Sequence, residues 1–300
     1  MTENDIKILV CYHKPYSIYK NDLYLPIQVG RARNNFDLGI QTDNMLKGKE
    51  CDNISNLNHL FCETTAMYWA WKNIRTLYPN IKYVGLCHYR RYFSTENHTI
   101  YDRAKTAMEK TKAVGKVLIN HHNHTIVLDT CHGIKTTEAE RFQRSDDGLR
   151  KVIYSSDIIA TKPVRILNSS VEDFFDTIGR DYIDLMKDIV KNEFSQFSDS
   201  LNDVLDGSLL NAANMIILRT ELLDEYCTYV FGVMERHLQL VKDKEICIDP
   251  INEKIYSRIP GYLGELLTCS YIRFKSNTCK VNYTGKYFVE DWMGYEKGAE

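Results

Sequence analysis

No stretch of this sequence approaches the ~20 consecutive apolar residues that a membrane-spanning helix needs; its apolar runs are short, such as Met215-Ile216-Ile217-Leu218. The opening Met1-Thr2-Glu3-Asn4-Asp5 is acidic and leads into no apolar h-region, so it does not read as a secretory signal. Positive charge is not in excess. The chain has 38 Lys and Arg against 40 Asp and Glu, a formal net charge of −2, which argues against a dedicated nucleic-acid binder. Its nine cysteines (11, 51, 62, 87, 131, 227, 247, 269 and 279) are odd in number and include no Cys-x-x-Cys. They read as reduced thiols, mostly buried as small hydrophobes, and zinc lacks its usual ligand spacing. There is no G-x-G-x-x-G, Walker loop, H-E-x-x-H or G-x-S-x-G, so the classes those motifs mark lose weight. Internal repeats, low-complexity tracts and linkers are missing too.

What remains is a chain of 300 residues, 44% apolar and 26% charged, the composition of a soluble globular protein. At this length roughly 75% of the unfolded surface can be buried without disulfides or metal. Tyrosine is abundant at 20 residues. It offers an apolar face with a hydroxyl, which suits sugar and nucleotide sites as well as cores.

Ile6-Lys7-Ile8-Leu9-Val10-Cys11-Tyr12 reads as a first strand running into His13-Lys14-Pro15, and Pro26-Ile27-Gln28-Val29-Gly30 as a second apolar segment. Residues 31–58 read as loop. Helical spacing of Leu60, Thr64, Met67, Trp71 and Ile74 predicts a helix over about 57–77, stopped by Pro79. Residues 81–87 read as a buried strand that ends in His88-Tyr89-Arg90-Arg91. The stretch 94–156 is less clear: a polar helix at 102–116, a hairpin from 116–119 and 125–128 around His121-His122-Asn123-His124, and a polar, mobile 132–150. Beyond it come a strand at 157–160, helices at about 170–193 and 199–206, a strand at 213–218, a long helix from Thr220 to about 242, a helix at 260–272 and a β-like tail at 280–283. Strands alternating with helices predict an α/β sandwich.

Four groups of residues could carry chemistry. His88-Tyr89-Arg90-Arg91 follows a buried strand, where guanidinium forks fit phosphate oxygens; the competing reading is a structural Arg pair. Adjacent strand residues face opposite sides, so one Arg is expected to meet a ligand. Lys14, with His13, could meet a phosphate or lie solvated. The aromatic segment Glu63-Thr64-Thr65-Ala66-Met67-Tyr68-Trp69-Ala70-Trp71 reads mainly as core, and Glu63, near a helix N-terminus, as a dipole-stabilised carboxylate. Glu265, in the first turns of a helix opened by Pro260-Gly261, could take a proton from a sugar hydroxyl or simply be paired. The histidine tip at 121–124 lacks companion ligands and reads as a polar turn rather than a metal site.

Taken together, several segments resemble a bacterial family known as a domain of unknown function and found in capsule, exopolysaccharide and O-antigen gene clusters. They are residues 7–15, Pro26-Ile27-Gln28-Val29-Gly30, Asp52-Asn53-Ile54-Ser55, Cys62-Glu63-Thr64-Thr65 with Tyr68-Trp69-Ala70-Trp71-Lys72-Asn73, Gly85-Leu86-Cys87-His88-Tyr89-Arg90-Arg91-Tyr92-Phe93, Asn214-Met215-Ile216-Ile217 and Gly261-Tyr262-Leu263-Gly264-Glu265. The resemblance covers about 6–93 and 157–273. It implies a GT-A-like glycosyltransferase: a Rossmann-type mixed sheet flanked by helices, one domain over 1–300, with an insertion at about 94–156 and a helical, acceptor-side portion from about 170. It also implies a UDP-sugar donor, galactofuranose or galactose, and a polysaccharide or lipid-linked acceptor. Such work belongs in the cytoplasm, with peripheral contact to the inner face of the membrane through the acceptor lipid. An oligomer is left open, and the insertion could serve as an acceptor lid or an oligomer contact.

The sequence departs from the wider GT-A superfamily, which places an Asp-x-Asp after the central strand to hold Mn²⁺ or Mg²⁺ on the donor. Cys87-His88-Tyr89-Arg90-Arg91 stands there instead, and no Asp-x-Asp occurs anywhere. A departing diphosphate needs cationic stabilisation, which Arg90, Arg91, Lys14 and His88 could supply. No metal is therefore expected to be required, though a stimulating divalent ion is left open. The expected donor and diphosphate residues are Tyr12, His13, Lys14, Val29, Arg31, His88, Tyr89, Arg90 and Arg91, with the donor lying across 11–14 and 28–34. Glu265 is the first choice of base and Asp206 the second; Asn214 and Tyr262 are expected on the acceptor side. Two other classes share this edge of the sheet: an inactive nucleotide- or carbohydrate-binding module, and a nucleotidyl- or phosphotransferase.

Overall fold

Seven consecutive buried residues, Ile6–Tyr12, form strand β1 at the middle of the sheet. Leu9 and Cys11 point into one core, and Ile8, Val10 and Tyr12 into the other, which is why the strand reads as a continuous apolar run rather than an alternation. The computed structural model describes residues 4–95, 126–128, 131–135, 137–243 and 257–289. In chain order, β1 is followed by β2 (Tyr24–Gln28), β3 (Gln41–Thr42), β4 (Met45–Leu46), β5 (Lys49–Glu50), α1 (Asn58–Phe61), α2 (Thr64–Leu77), β6 (Tyr83–His88) and β7 (Arg91–Ser94). Next come β8 (Ile126–Leu128), β9 (Cys131–Ile134), α3 (Ala139–Tyr154), β10 (Ile158–Thr161), β11 (Val164–Leu167), α4 (Val171–Phe175), α5 (Arg180–Glu193) and α6 (Ser198–Leu205). The last are β12 (Leu209–Leu210), β13 (Ile216–Arg219), α7 (Thr220–Asp243), α8 (Ile259–Lys275) and β14 (Val281–Val289).

The main sheet is mixed. β1 pairs in parallel with β2 on one side and β6 on the other. β13 lies antiparallel between β6 and β10, and β14 runs parallel to β10 before passing between β7 and β9. The β6–β13 approach depends on Gly85, where a Cβ would fall 2.7 Å from Ile217 Cγ1 and 3.1 Å from the Ile216 carbonyl oxygen. Helices α2, α5, α6, α7 and α8 cover one face with a large apolar core. Helix α3 covers the other over a tyrosine-rich core that includes Tyr12, Tyr24, Tyr89, Tyr92 and Tyr287. Among the described residues no helix is long and apolar enough to cross a membrane.

Several expectations are corrected. The helix predicted over 57–77 is two helices, parted at Cys62, whose φ of 51° no helix accommodates. The helix predicted over 170–193 is broken at Gly179, φ 107°. Residues 132–150, read as polar and mobile, contain much of α3. Its charged surface disguises a buried stripe of Phe142, Ser145, Asp146, Leu149 and Ile153, in which two of the five side chains are polar. β8 pairs with β11; the proposed partner strand 116–119, the histidine tip 121–124 and the helix 102–116 lie outside the described residues.

Candidate active site

β1 and β6 end side by side, with Cys11 paired to His88 and the Tyr89 amide donating to the Cys11 carbonyl at 3.2 Å. This register delivers His13-Lys14 and His88-Tyr89-Arg90-Arg91 to one edge of the sheet, where the carboxyl ends of parallel strands leave room for a ligand. Tyr89 is buried, with its ring 5.3 Å from His13 and 5.0 Å from Tyr16. The Arg90 guanidinium lies 5.2 Å from the Tyr89 ring, and Arg91 lies 5.9 Å from Phe288. The His13 imidazole is held below its ordinary pKa, first by partial desolvation and then by the positive charge of Lys14, Arg90, His88 and Arg258. Cationic groups from three separate parts of the chain thus act on one point. Such a focus of one sign attracts anions.

Beside the cations stand two carboxylates. Glu63 follows the left-handed Cys62, and its Oε1 accepts from Asn214 Nδ2 at 2.9 Å and lies 3.8 Å from His88 Nε2. His88 Nε2 also meets the Ala213 carbonyl oxygen at 2.6 Å. The Ala213 backbone amide favours the ionised form of the Glu265 carboxyl. One two-residue joint therefore links the group: the Ala213 carbonyl engages His88, its amide acts on Glu265, and the Asn214 side chain engages Glu63. Ala213 (φ 74°) and Asn214 (φ 51°) are both left-handed, a strained pair of the kind that persists where surrounding contacts enforce it. Asn214 is buried; it also approaches the Gly261 carbonyl at 3.5 Å and accepts from Thr268 Oγ1 at 3.4 Å. Burial pushes the Glu265 carboxyl up to about 7, with the charge of Glu63 adding to the rise and the Ala213 amide, Arg91 and Lys286 opposing it. The first turn of α8 reaches this site because residue 261 is glycine: a Cβ there would lie 2.8 Å from Cys62 Sγ. Just before α8, Arg258 Nε donates to Cys62 Sγ at 3.4 Å, and its guanidinium lies 5.6 Å from the Tyr262 ring.

The structure gathers His13, Lys14, His88, Tyr89, Arg90, Arg91, Asn214 and Glu265, with Tyr262 at the margin through Arg258. Other expected residues sit differently. Tyr12 is wholly buried; its hydroxyl pairs with Tyr92 at 3.2 Å, donates to the Ser17 carbonyl at 3.3 Å and accepts from the Tyr19 amide at 3.2 Å. Val29 is buried, and Arg31 donates to the Asn34 carbonyl at 2.8 Å. Asp206 is exposed at the end of α6, and no hydrogen bond or ion pair described here joins it to the site. Asn214, expected on the acceptor side, braces Glu63 from within.

Sequence reasoning passed over the buried Lys286 and Asp43, gave Arg258 no role, and read Glu63 as a dipole-stabilised carboxylate. Asp43 is wholly buried, and its carboxylate accepts from the Gly30 amide at 2.8 Å, the Arg31 amide at 3.2 Å, Ser55 Oγ at 2.5 Å and Thr65 Oγ1 at 2.9 Å. It fixes the loop after β2. The one available signal for Glu63 was its place inside the aromatic block, which the helix-dipole reading set aside.

Among the described residues no three His, Cys, Asp or Glu side chains converge on a point that could hold a metal ion. The tip of β6 carries guanidinium groups where a divalent cation would need carboxylates. These residues do not fit a donor-bridging metal.

A mixed sheet flanked by helices, ending in this charged edge, is the fold the chain shares with a solved glycosyltransferase. The chain is similar to the apo structure of WbbM, a bifunctional glycosyltransferase, with a TM-score of 0.72 and 22% identity over 96% of this chain and 46% of that one. It spans about half the length of that protein. Residues 7–277 match the domain of unknown function DUF4422, and the chain belongs to that family. No curated protein matches it.

Proposed function

We propose that the chain is a glycosyltransferase that moves a hexose, galactofuranose or galactose, from a UDP-sugar to a hydroxyl of a growing polysaccharide or lipid-linked oligosaccharide. The observation that carries this reading is the meeting of cations and a proton-accepting carboxylate at the carboxyl ends of β1 and β6. As the bond from the anomeric carbon to the diphosphate lengthens, negative charge builds on the leaving phosphate oxygens. Lys14, Arg90, Arg91 and Arg258 are held nearby without reorganisation, the form in which charge stabilisation is most effective. Glu265 takes the proton of the acceptor hydroxyl as its oxygen attacks the anomeric carbon. A carboxyl near 7 suits that task, because it is substantially ionised at neutral pH and still basic enough to hold the proton. Glu63, braced by Asn214, keeps that basicity high.

In this reading the protein works in the cytoplasm and meets the membrane only through its acceptor's lipid. A panel of sugar nucleotides, followed for UDP release with and without EDTA, tests donor class and metal need together. Release of UDP from a UDP-hexose in EDTA supports the reading. UDP binding with no release from any donor, whatever the acceptor, would make the chain a binding module of the same fold.

A further inference from the structure

Asn214 meets Glu63 at the end of a series of buried hydroxyls. Its Oδ1 accepts from Thr268 Oγ1 at 3.4 Å, and Thr268 Oγ1 lies 2.9 Å from the Tyr226 hydroxyl. None of the three residues is more than 2% exposed. Chemistry fixes the direction of each bond. An amide oxygen carries no proton, so Thr268 donates to it; a hydroxyl has one proton to give, so Thr268 accepts the one from Tyr226. Burial pushes the Tyr226 hydroxyl well above the ordinary phenol value, so it stays a donor across the neutral range. The series ends at Glu63 Oε1, which accepts from Asn214 Nδ2 at 2.9 Å. Inside a protein, hydrogen bonds in series polarise and strengthen one another.

The links come from separate elements: Tyr226 from α7, Thr268 from α8 and Asn214 from the turn before β13. Thr268 follows Glu265 by three residues, one turn along the same face of α8. The Tyr226 ring packs 5.2 Å from Tyr271, also on α8, which holds its hydroxyl at Thr268. Buried as it is, Tyr226 lies beyond the reach of any substrate. We propose that Tyr226 and Thr268 are positioning residues: they orient the Asn214 amide so that its nitrogen faces Glu63, and thereby hold the charge of Glu63 beside Glu265. The proposal rests on the glycosyl-transfer reading, in which Glu265 takes the acceptor proton. Without Thr268 as donor, Oδ1 becomes a buried acceptor with no hydroxyl to meet it, and the amide loses its orientation. Glu265 is faced as well by Arg91 of β7, Lys286 of β14 and the Ala213 amide, with Cys62 and Cys269 within reach of its charge. Glu63 is faced by His88 of β6 at 3.8 Å and by Arg258. Removing either hydroxyl leaves all of these side chains in place.

The test is the pH profile of UDP release by the full chain, for the wild type, Tyr226→Phe, Thr268→Val and Thr268→Ser, with thermal melting of each. Tyr226→Phe and Thr268→Val are expected to move the rising limb down by about half a pH unit and to leave the donor KM unchanged. The less basic carboxylate takes the proton less readily, so plateau turnover falls about fivefold. Thr268→Ser, which keeps the hydroxyl, is expected to restore both. In a Glu63→Gln background neither Tyr226→Phe nor Thr268→Val should move the limb further, because both act through Glu63. A lower melting temperature with the limb and turnover of the wild type overturns the proposal and leaves the glycosyl-transfer reading standing. So does a shift that persists in full in Glu63→Gln, or a Thr268→Ser variant that behaves as Thr268→Val does. A wild type that releases no UDP from any donor overturns both.

Discussion

Glu63 and Asn214 lie 151 positions apart in the chain and meet at 2.9 Å, with the amide nitrogen of Asn214 donating to the carboxylate. That contact ties the start of α2 to the turn before β13, and the same turn carries the backbone atoms that engage His88 and Glu265. Asn214→Asp keeps the shape and tolerates the left-handed backbone, but sets a second carboxylate against Glu63 and removes the donor. A turnover loss of tenfold or more is expected, with destabilisation of about 1–3 kcal/mol. UDP-release kinetics and urea denaturation measure the two effects.

Glu265→Gln keeps the side chain's size and abolishes its basicity. It is expected to lose most turnover while binding UDP as the wild type does. The pH profile makes the assignment sharper. A base must be ionised, so wild-type turnover should rise with pH through about 7. The charge of Glu63 contributes to that value, so Glu63→Gln should move the rising limb to lower pH. A limb that stays in place in Glu63→Gln argues against the coupling of the two carboxylates.

Much of the scaffold was legible because it is periodic. The buried runs at β1 and β6 and the amphipathic stripe of α7 are local patterns, and each formed close to where it was read. The breaks were not legible. Cys62 and Ala213 adopt left-handed backbone that their side chains do not favour, so nothing local marks them; tertiary contacts impose it. Helix α3 was hidden by its polarity and by Gly148, whose presence is explained by contact with the chain outside the helix: a Cβ there would lie 2.3 Å from Thr95 Oγ1. The cationic block at 88–91 stood out as a motif, whereas Arg258 and Lys286 arrive from distant segments that look ordinary alone. The neighbours of Glu63 in space, His88 and Asn214, are likewise remote in sequence.

Asp146 gives a stability prediction with a definite sign. Burial raises its carboxyl to about 6, above its unfolded value near 4. The fold therefore favours the protonated form; that contribution is fully present below about pH 4 and is lost as pH rises through about 6. The loss at pH 8 is on the order of 3 kcal/mol. Both neighbouring donors reach the same oxygen of Asp146, so Asp146→Asn can accept both bonds without ionising. Urea denaturation should find the variant more stable than wild type at pH 8 and close to it at pH 4.5. Equal stability at both pH values contradicts the account.

The central claim is that side-chain cations, without a divalent ion, hold the diphosphate at the tips of β1 and β6. Its most direct measurement is UDP binding by calorimetry in excess EDTA, for the wild type and for Arg90→Ala and Arg91→Ala. The account predicts that the wild type binds equally well with and without EDTA, and that at least one substitution weakens binding by tenfold or more. Binding that vanishes in EDTA, or that both substitutions leave unchanged, would contradict it.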